Sequence, residues 1–374
     1  MEELKVWLPE EIKELRVLGR TVKRHPLPLF WTGSGIECNY DGTELWCEFE
    51  TGYSCLEQWI AVYVNGAFLS RQMLNKGRQK ICLYRNMATR KINHIKVLKE
   101  VQAMPEDPDT YLLVHSLQGD GEFQPLSEPE CRIEFIGDSI TSGEGSYGSK
   151  GEQDWISMWF SAGRTYPYLV AERLHAEYRV ISQSGFGVYC AYDNNLDHTI
   201  PLYYEQVCGT LTGEHNRLLG AKEPHDFSSW QPDYIVINLG TNDGGAFHNP
   251  EWNDDSTGRR NKMEYDTDGQ PARECLDKVQ TAVTEFLSLV RKHNPKAHIL
   301  WAYGMMGTVV EPAITEGIQA FCDLSEDKKV HYIRLEEIND DSIGARSHPG
   351  EKGHRQAAEV LGNYIEALQK QEKE

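Results

Sequence analysis

An all-β sandwich followed by an α/β domain on a parallel sheet is the fold that this 374-residue sequence predicts. Three observations lead there. From residue 25 to about 120, short segments of alternating apolar residues recur between turn signals, with no helix-length periodic stretch among them. The run "DGEFQPLSEPEC", Asp120 to Cys131, has the Gly, Pro, Ser and acidic composition of a linker. Beyond it, apolar strand runs alternate with amphipathic helical ones, as in a parallel sheet covered on both faces. The expected domains are therefore residues 1–125 and 131–374.

In the first domain, residues 3 to 18 are read as a short helix. "IECNYDGTELWCEFET" follows, with a hairpin expected at Asp41-Gly42, and "WIAVYVNGAFLSRQ" repeats the device at Asn65-Gly66. "QKICLYR", "HIKVLKEV" and "TYLLVHSLQ" continue the strands, and the spacing suggests a jelly roll. In the second domain, "RIEFIGDS" reads as a buried strand, "TYPYLVAERLHAEY" as a helix, and "RVISQSG" and "DYIVINLGTND" as strands. "ECLDKVQTAVTEFLSLVRKHNP" is a long amphipathic helix and "AHILWAYGM" a strand; "FCDL" with "VHYIRL" is read as the last strand. A final helix begins near Gly350, with Ala357, Leu361, Tyr364, Ile365 and Leu368 on one face.

Composition narrows the function. A formal net charge of −19 would repel phosphate backbones and anionic membranes, and no basic patch interrupts it, so neither nucleic acid nor a membrane is an expected partner. No apolar stretch has transmembrane length. The charged N-terminal residues do not read as a secretory signal, and nine cysteines at irregular spacing read as free thiols in a reducing compartment, so a cytoplasmic location is expected. No Cys/His spacing fits a zinc site, and neither a metal nor a cofactor is expected.

Three strand ends carry unusual polar turns. In "IEFIGDSITSGEG", Ser139 sits at a strand-to-helix junction, where its amide is near a helix N-terminus. That suits a nucleophile whose intermediate becomes an oxyanion, and it equally suits an N-cap. In "ISQSGFGVY", Gly185 and Gly187 can leave backbone amides free for a ligand or simply make a turn. In "IVINLGTNDGG", Asn242 can donate its side-chain amide or form an Asx turn. Near the end, "IGARSHPGEKGH" places His348 at a helix threshold with no carboxylate within a few residues.

Taken in order, Gly137-Asp138-Ser139, the Gly187 turn, Gly240-Thr241-Asn242-Asp243 and His348-Pro349 resemble the four signature blocks of the GDSL or SGNH hydrolases. With "FWTGSGIECNYDGTELWCEF", "VYVNG" and "HIKVLKEV" included, nearly the whole chain is similar to the family two carbohydrate esterases. The resemblance implies a flavodoxin-like SGNH domain behind a jelly roll, and removal of O-acetyl groups from sugars such as xylo-oligosaccharides. It makes Ser139 the nucleophile and His348 the base, with the oxyanion held by the amides of Ser139 and Gly187 (or Gly185) and by Asn242.

The usual acid three residues before the histidine is absent, for that place is Ala345. Family two esterases manage with a Ser-His dyad oriented by a main-chain carbonyl, which the resemblance implies here, with Asp340 or Asp341 as the alternative. Trp252, Tyr189 and Trp301 are candidate sugar contacts, although Trp252 suits a self-packed loop and Trp301 a core position. Trp155 and Trp159, in "DWISMWF", suit either role. The implied partner is an acetylated oligosaccharide, and homo-oligomerisation stays open. A lipase or thioesterase of the same chemistry, or a sugar-binding protein with a degenerate site, are the alternative readings.

Overall fold

The computed structural model describes residues 4–373. The chain forms two compact units. The first runs to Pro129 and also takes in Trp155–Gly163 and Glu205–His225; the second holds Glu130–Asp154, Arg164–Tyr204 and the chain from Asp226 onward. The expected division at residues 125–131 is thus the first of several crossings, and the two later segments that return to the first unit have no linker composition to announce them.

Among its described residues, the first unit has two antiparallel sheets. One orders Lys5–Trp7, Tyr111–Gly119, Leu45–Gly52 and Gly77–Tyr84, with Leu27–Pro28 also paired to Tyr111–Gly119. The other orders Phe123–Gln124, Gly35–Tyr40, Asn93–Lys99, Trp59–Val64 and Ala67–Met73, with Arg16–Leu18 beside Gly35–Tyr40. Period-two alternation assigns the faces. Leu45, Cys47 and Phe49 are buried while Trp46, Glu48 and Glu50, which alternate with them, are part-exposed. The buried set shares one core with Ile36, Cys38, Tyr40, Ile95 and Val97 of the other sheet.

Asn65 and Gly66, at φ 53° and 77°, close the hairpin expected between Trp59–Val64 and Ala67–Met73. Asp41-Gly42 does not close one, because its flanking strands belong to different sheets. The Asp41 carboxylate instead accepts from the Glu122 amide at 2.8 Å, and Asp41 donates its own N–H to the Glu122 carbonyl. The turn is a corner between sheets. The helix expected over residues 3–18 is also corrected. Glu3 lies outside the described residues, and Lys5–Trp7 and Arg16–Leu18 are strands with a single 3-10 turn, Pro9–Glu11, between them. Sheet pairing outweighs the helix-forming Glu, Lys and Leu of this stretch.

In the second unit the parallel sheet runs Glu177–Ser182, Arg132–Gly137, Tyr234–Asn238, His298–Tyr303, Val330–Arg334. In chain order this is 2-1-3-4-5, the flavodoxin-like arrangement. Tyr234–Asn238 and His298–Tyr303 are buried at every position, as expected of strands covered on both faces. The helices Tyr166–Arg173, Arg273–His293, Glu311–Ser325 and Glu351–Lys373 accompany the sheet, and no described helix is long and apolar enough to cross a membrane. "FCDL" is helical, being the end of Glu311–Ser325. That helix packs on Arg273–His293 through Gly317, where a side chain would meet the Gln280 carbonyl at 2.8 Å. Strand order reverses at Arg132–Gly137, so the crevice beyond its carboxyl end is where a ligand binds in such a sheet.

Candidate active site

Ser139 leaves the strand Arg132–Gly137 as the first residue of the short helix Ser139–Ser142. Asp138 caps that helix by accepting the Ile140 N–H at 3.0 Å. Gly137 is required at the turn, since a Cβ there would lie 2.0 Å from Thr141 Oγ1 and 2.9 Å from the Asn238 carbonyl. Ser139 is 5% exposed, and its Oγ lies 2.8 Å from Nε2 of His348.

The histidine turn is shaped by backbone as much as by side chains. Arg346 and Ser347 adopt left-handed φ values of 54° and 57°, a costly conformation for non-glycine residues. The Arg346 N–H donates to the Glu152 carbonyl, its Nη1 to the Gln153 carbonyl and its Nε to Glu144 Oε1, at 2.7, 2.8 and 2.7 Å. So held, the Arg346 carbonyl lies 2.8 Å from His348 Nδ1. The turn is seated against Gly145, whose carbonyl accepts the Ala345 N–H; a Cβ on Gly145 would come within 2.8 Å of the His348 Cβ. Asp340 pairs with Lys150, and Asp341 with Lys352, both well exposed, so neither is the partner of His348. The nearest carboxylate is Glu144, 4.0 Å from Nδ1.

The glycine turn differs from expectation. Gly187 is buried and its N–H donates to the His198 carbonyl at 3.3 Å. A Cβ there would collide with the Cys190 carbonyl at 2.0 Å and Asp243 Oδ2 at 2.6 Å, so this glycine serves packing and has no amide to offer a ligand. Gly185, part-exposed at φ 82°, has an N–H with no acceptor among the described residues. Asp243 fixes the loop by accepting the N–H groups of Val188, Tyr189 and Cys190 at 3.0, 2.7 and 3.1 Å. Next to it, the Asn242 amide donates to the Phe186 carbonyl at 2.8 Å and more weakly to Asp138 Oδ2 at 3.2 Å.

Of the aromatic candidates, Trp301 is fully buried and donates its indole N–H to the Leu239 carbonyl at 3.1 Å, which makes it core and removes it as a sugar contact. Tyr189 is part-exposed, with its hydroxyl on Asn261 at 3.1 Å. Trp252 opens a two-stranded hairpin, Trp252–Asp254 with Arg259–Asn261, and the Arg259 guanidinium lies 5.3 Å from its ring centre. Trp159 ends the 3-10 turn Ser157–Trp159 of the first unit and Trp155 lies just before it, so the two do not share an α-helix. Two residues passed over in the sequence stand at the site: Glu144, and Tyr192, which is 52% exposed with its ring 3.3 Å from the Cβ position of Gly185. A Glu between Gly143 and Gly145, and a second Tyr three residues after Tyr189, were the signals for them.

Burial dominates the electrostatics. It pushes the Asp138 carboxyl up to about 8 against the Ile140 N–H, with Asp243 and Glu144 adding to the rise. It pushes His354 down to about 3, helped by neighbouring His348. Glu144 is the exception. Burial raises it, but His348, the Ser184 hydroxyl at 2.6 Å and Arg346 outweigh that and hold it below the usual carboxylate range.

A strand-end serine bonded to a histidine, at the switch point of a 2-1-3-4-5 sheet, is the layout of a serine hydrolase of the SGNH type. The model of the GDSL-like lipase/acylhydrolase family matches residues 135–356, and the chain belongs to that family. Among solved structures, the acetyl xylan esterase Est2A from the rumen bacterium Butyrivibrio proteoclasticus is 42% identical, covering 98% of this chain and 99% of that one at a TM-score of 0.96. A family two carbohydrate esterase from Clostridium thermocellum, in complex with cellohexaose, is 26% identical over 95% of this chain and 98% of its own, at a TM-score of 0.78. The cellulase/esterase CelE of Acetivibrio thermocellus is 28% identical over 338 residues, 88% of this chain and 36% of CelE. The chain spans about a third of the length of the curated relatives it matches.

Proposed function

We propose that the protein is a carbohydrate O-acetyl esterase working through an acetyl-enzyme on Ser139. The observation that carries this is the continuous bond path from Ser139 Oγ to His348 Nε2, and from Nδ1 to the Arg346 carbonyl, each 2.8 Å long. An acceptor at Nδ1 fixes the tautomer with its lone pair on Nε2, so His348 takes the Ser139 proton as Oγ attacks the acetyl carbonyl. The same imidazolium then protonates the departing sugar oxygen. In the second half, His348 deprotonates water, which attacks the acetyl ester and releases acetate.

The developing oxyanion is held by the N–H of Ser139, at the first position of its helix, by the N–H of Gly185, and by the Asn242 amide. Asn242 exchanges its 3.2 Å bond to Asp138 for a shorter, charge-assisted one. Losing one such donor costs on the order of 3 kcal/mol of transition-state stabilisation. Tyr192 and Trp252 offer ring faces to a sugar, in keeping with relatives that act on acetylated xylan and glucomannan. The two antiparallel sheets of the first unit fit a jelly roll, and nine cysteines, none in a disulfide, support a reducing compartment and hence the cytoplasm.

The test is acetate release from acetylated xylo-oligosaccharides and p-nitrophenyl acetate by the wild type, Ser139→Ala and His348→Ala. Both variants are expected to lose at least about 10³-fold in kcat. Acetate release that persists in Ser139→Ala overturns the acetyl-enzyme.

A further inference from the structure

We propose that Glu144 is a positioning residue for His348, supplying from the nucleophile's own loop the negative charge that Ala345 does not. The inference rests on the esterase reading above. Glu144 follows Ser139 by five residues, and its side chain is 2% exposed. At 4.0 Å from Nδ1 its Oε1 makes no hydrogen bond to the imidazole. It acts on His348 in two other ways. Its bond to Arg346 Nε helps hold the residue whose carbonyl orients the ring, and its charge favours the imidazolium that forms when Ser139 is deprotonated.

The other groups around the imidazole leave this charge little opposed. Ser139 on the near side is a neutral hydroxyl. His354, from the last helix, is held neutral by burial, and Asp138, capping the nucleophile helix, is raised to about 8 by burial. Asp243 is tied to three N–H groups of the glycine loop. The cation beside them is Arg346, and its guanidinium is itself bonded to Glu144. Both carboxylate oxygens of Glu144 have donors, Arg346 on one and Ser184 on the other, so it stays ionised despite its burial.

Charge and shape make opposite demands on two substitutions. Glu144→Gln keeps the volume and loses the charge, whereas Glu144→Asp keeps the charge and loses a methylene. NMR titration of the His348 imidazole, identified by its absence from His348→Gln, reads the effect without any turnover. In Glu144→Gln the titration is expected to move to lower pH by about half a unit or more, with Glu144→Asp nearer the wild type. In parallel, kcat for p-nitrophenyl acetate is expected to fall about 10-fold in Glu144→Gln and less in Glu144→Asp, with KM unmoved. Glu144→Met, which also removes the charge at similar volume, is expected to move the titration in the same direction and carries the test if Glu144→Gln does not fold. A His348 titration unmoved in Glu144→Gln, or a greater loss in Glu144→Asp than in Glu144→Gln, overturns the proposal. A wild type inactive on every ester, with the titration shift present, overturns the esterase reading and leaves Glu144 as the partner of His348.

Discussion

His348 Nδ1 lies 2.8 Å from the carbonyl oxygen of Arg346, so the histidine is oriented by the main chain two residues before it. This geometry bears directly on Ala345, the place where the resemblance to the SGNH hydrolases implies an acid. Ala345 is fully buried and its carbonyl accepts the His348 N–H at 3.0 Å. A carboxylate there would be desolvated with no donor provided for it. Ala345→Asp is therefore expected to leave kcat/KM no higher than the wild type and to lower the melting temperature. Steady-state kinetics with differential scanning fluorimetry check both, and a gain in kcat/KM contradicts the dyad.

Asn242 and Gly187 should fail in different ways. Asn242→Ala removes a donor near the Ser139 helix and is expected to lower kcat by about 10²-fold or more. Gly187→Ala forces a Cβ into the Cys190 carbonyl and is expected to cost about 2 kcal/mol or more of stability through displacement of the loop that Asp243 holds. Denaturant melts and kinetics on the same preparations separate the two. Loss of activity in Gly187→Ala at wild-type stability would restore Gly187 to the oxyanion hole.

The aromatic residues divide similarly. Tyr192→Ala and Trp252→Ala are expected to raise KM for an acetylated oligosaccharide while leaving p-nitrophenyl acetate hydrolysis near the wild type, because only the larger substrate reaches their ring faces. Trp301→Ala empties a fully buried site and is expected to cost about 3–5 kcal/mol of stability. Equal loss on both substrates for Tyr192→Ala would remove it from the sugar subsite.

His354 gives the fold an acid limit. It is fully buried, its Nδ1 accepts the Tyr166 N–H at 3.3 Å, and burial holds it near 3 against 6.5 for the free group. The folded protein therefore binds fewer protons than the unfolded chain over that interval. The stabilisation is complete above pH 6.5 and is lost as pH falls toward about 3. His354→Gln, which keeps an acceptor, is expected to flatten the fall in melting temperature across this window. An unchanged slope assigns acid sensitivity to other groups.

The elements with strong periodicity were legible in the sequence. The central parallel strands Tyr234–Asn238 and His298–Tyr303 are nearly continuous apolar runs, and Arg273–His293 has a clear amphipathic face. Glu311–Ser325 was hidden because Gly317, which lowers helix propensity, is there to let two helices approach. Asp41-Gly42 has the local chemistry of a hairpin, and only non-local pairing decides that it turns a corner. At the site, Ser139, Asn242 and His348 were legible from their order. Gly185 and Gly187 were not separable, since which amide is already bonded depends on His198, eleven residues away from Gly187. Glu144 escaped because a charge between glycines reads as an exposed loop, whereas here it is enclosed with two donors.

The left-handed passage of Arg346 and Ser347 shifts where mutation can disable the molecule. A triad aspartate is lost by one base change, but every amino acid brings a carbonyl, so no side-chain replacement at position 346 deletes the acceptor itself. The weak points move to Gly145 and Gly344, where a Cβ would strike the Ala345 carbonyl at 2.3 Å and the Gly145 carbonyl at 2.1 Å. Neither glycine touches the imidazole with a functional group, yet drift at either one would silence the histidine by bending the path that delivers it.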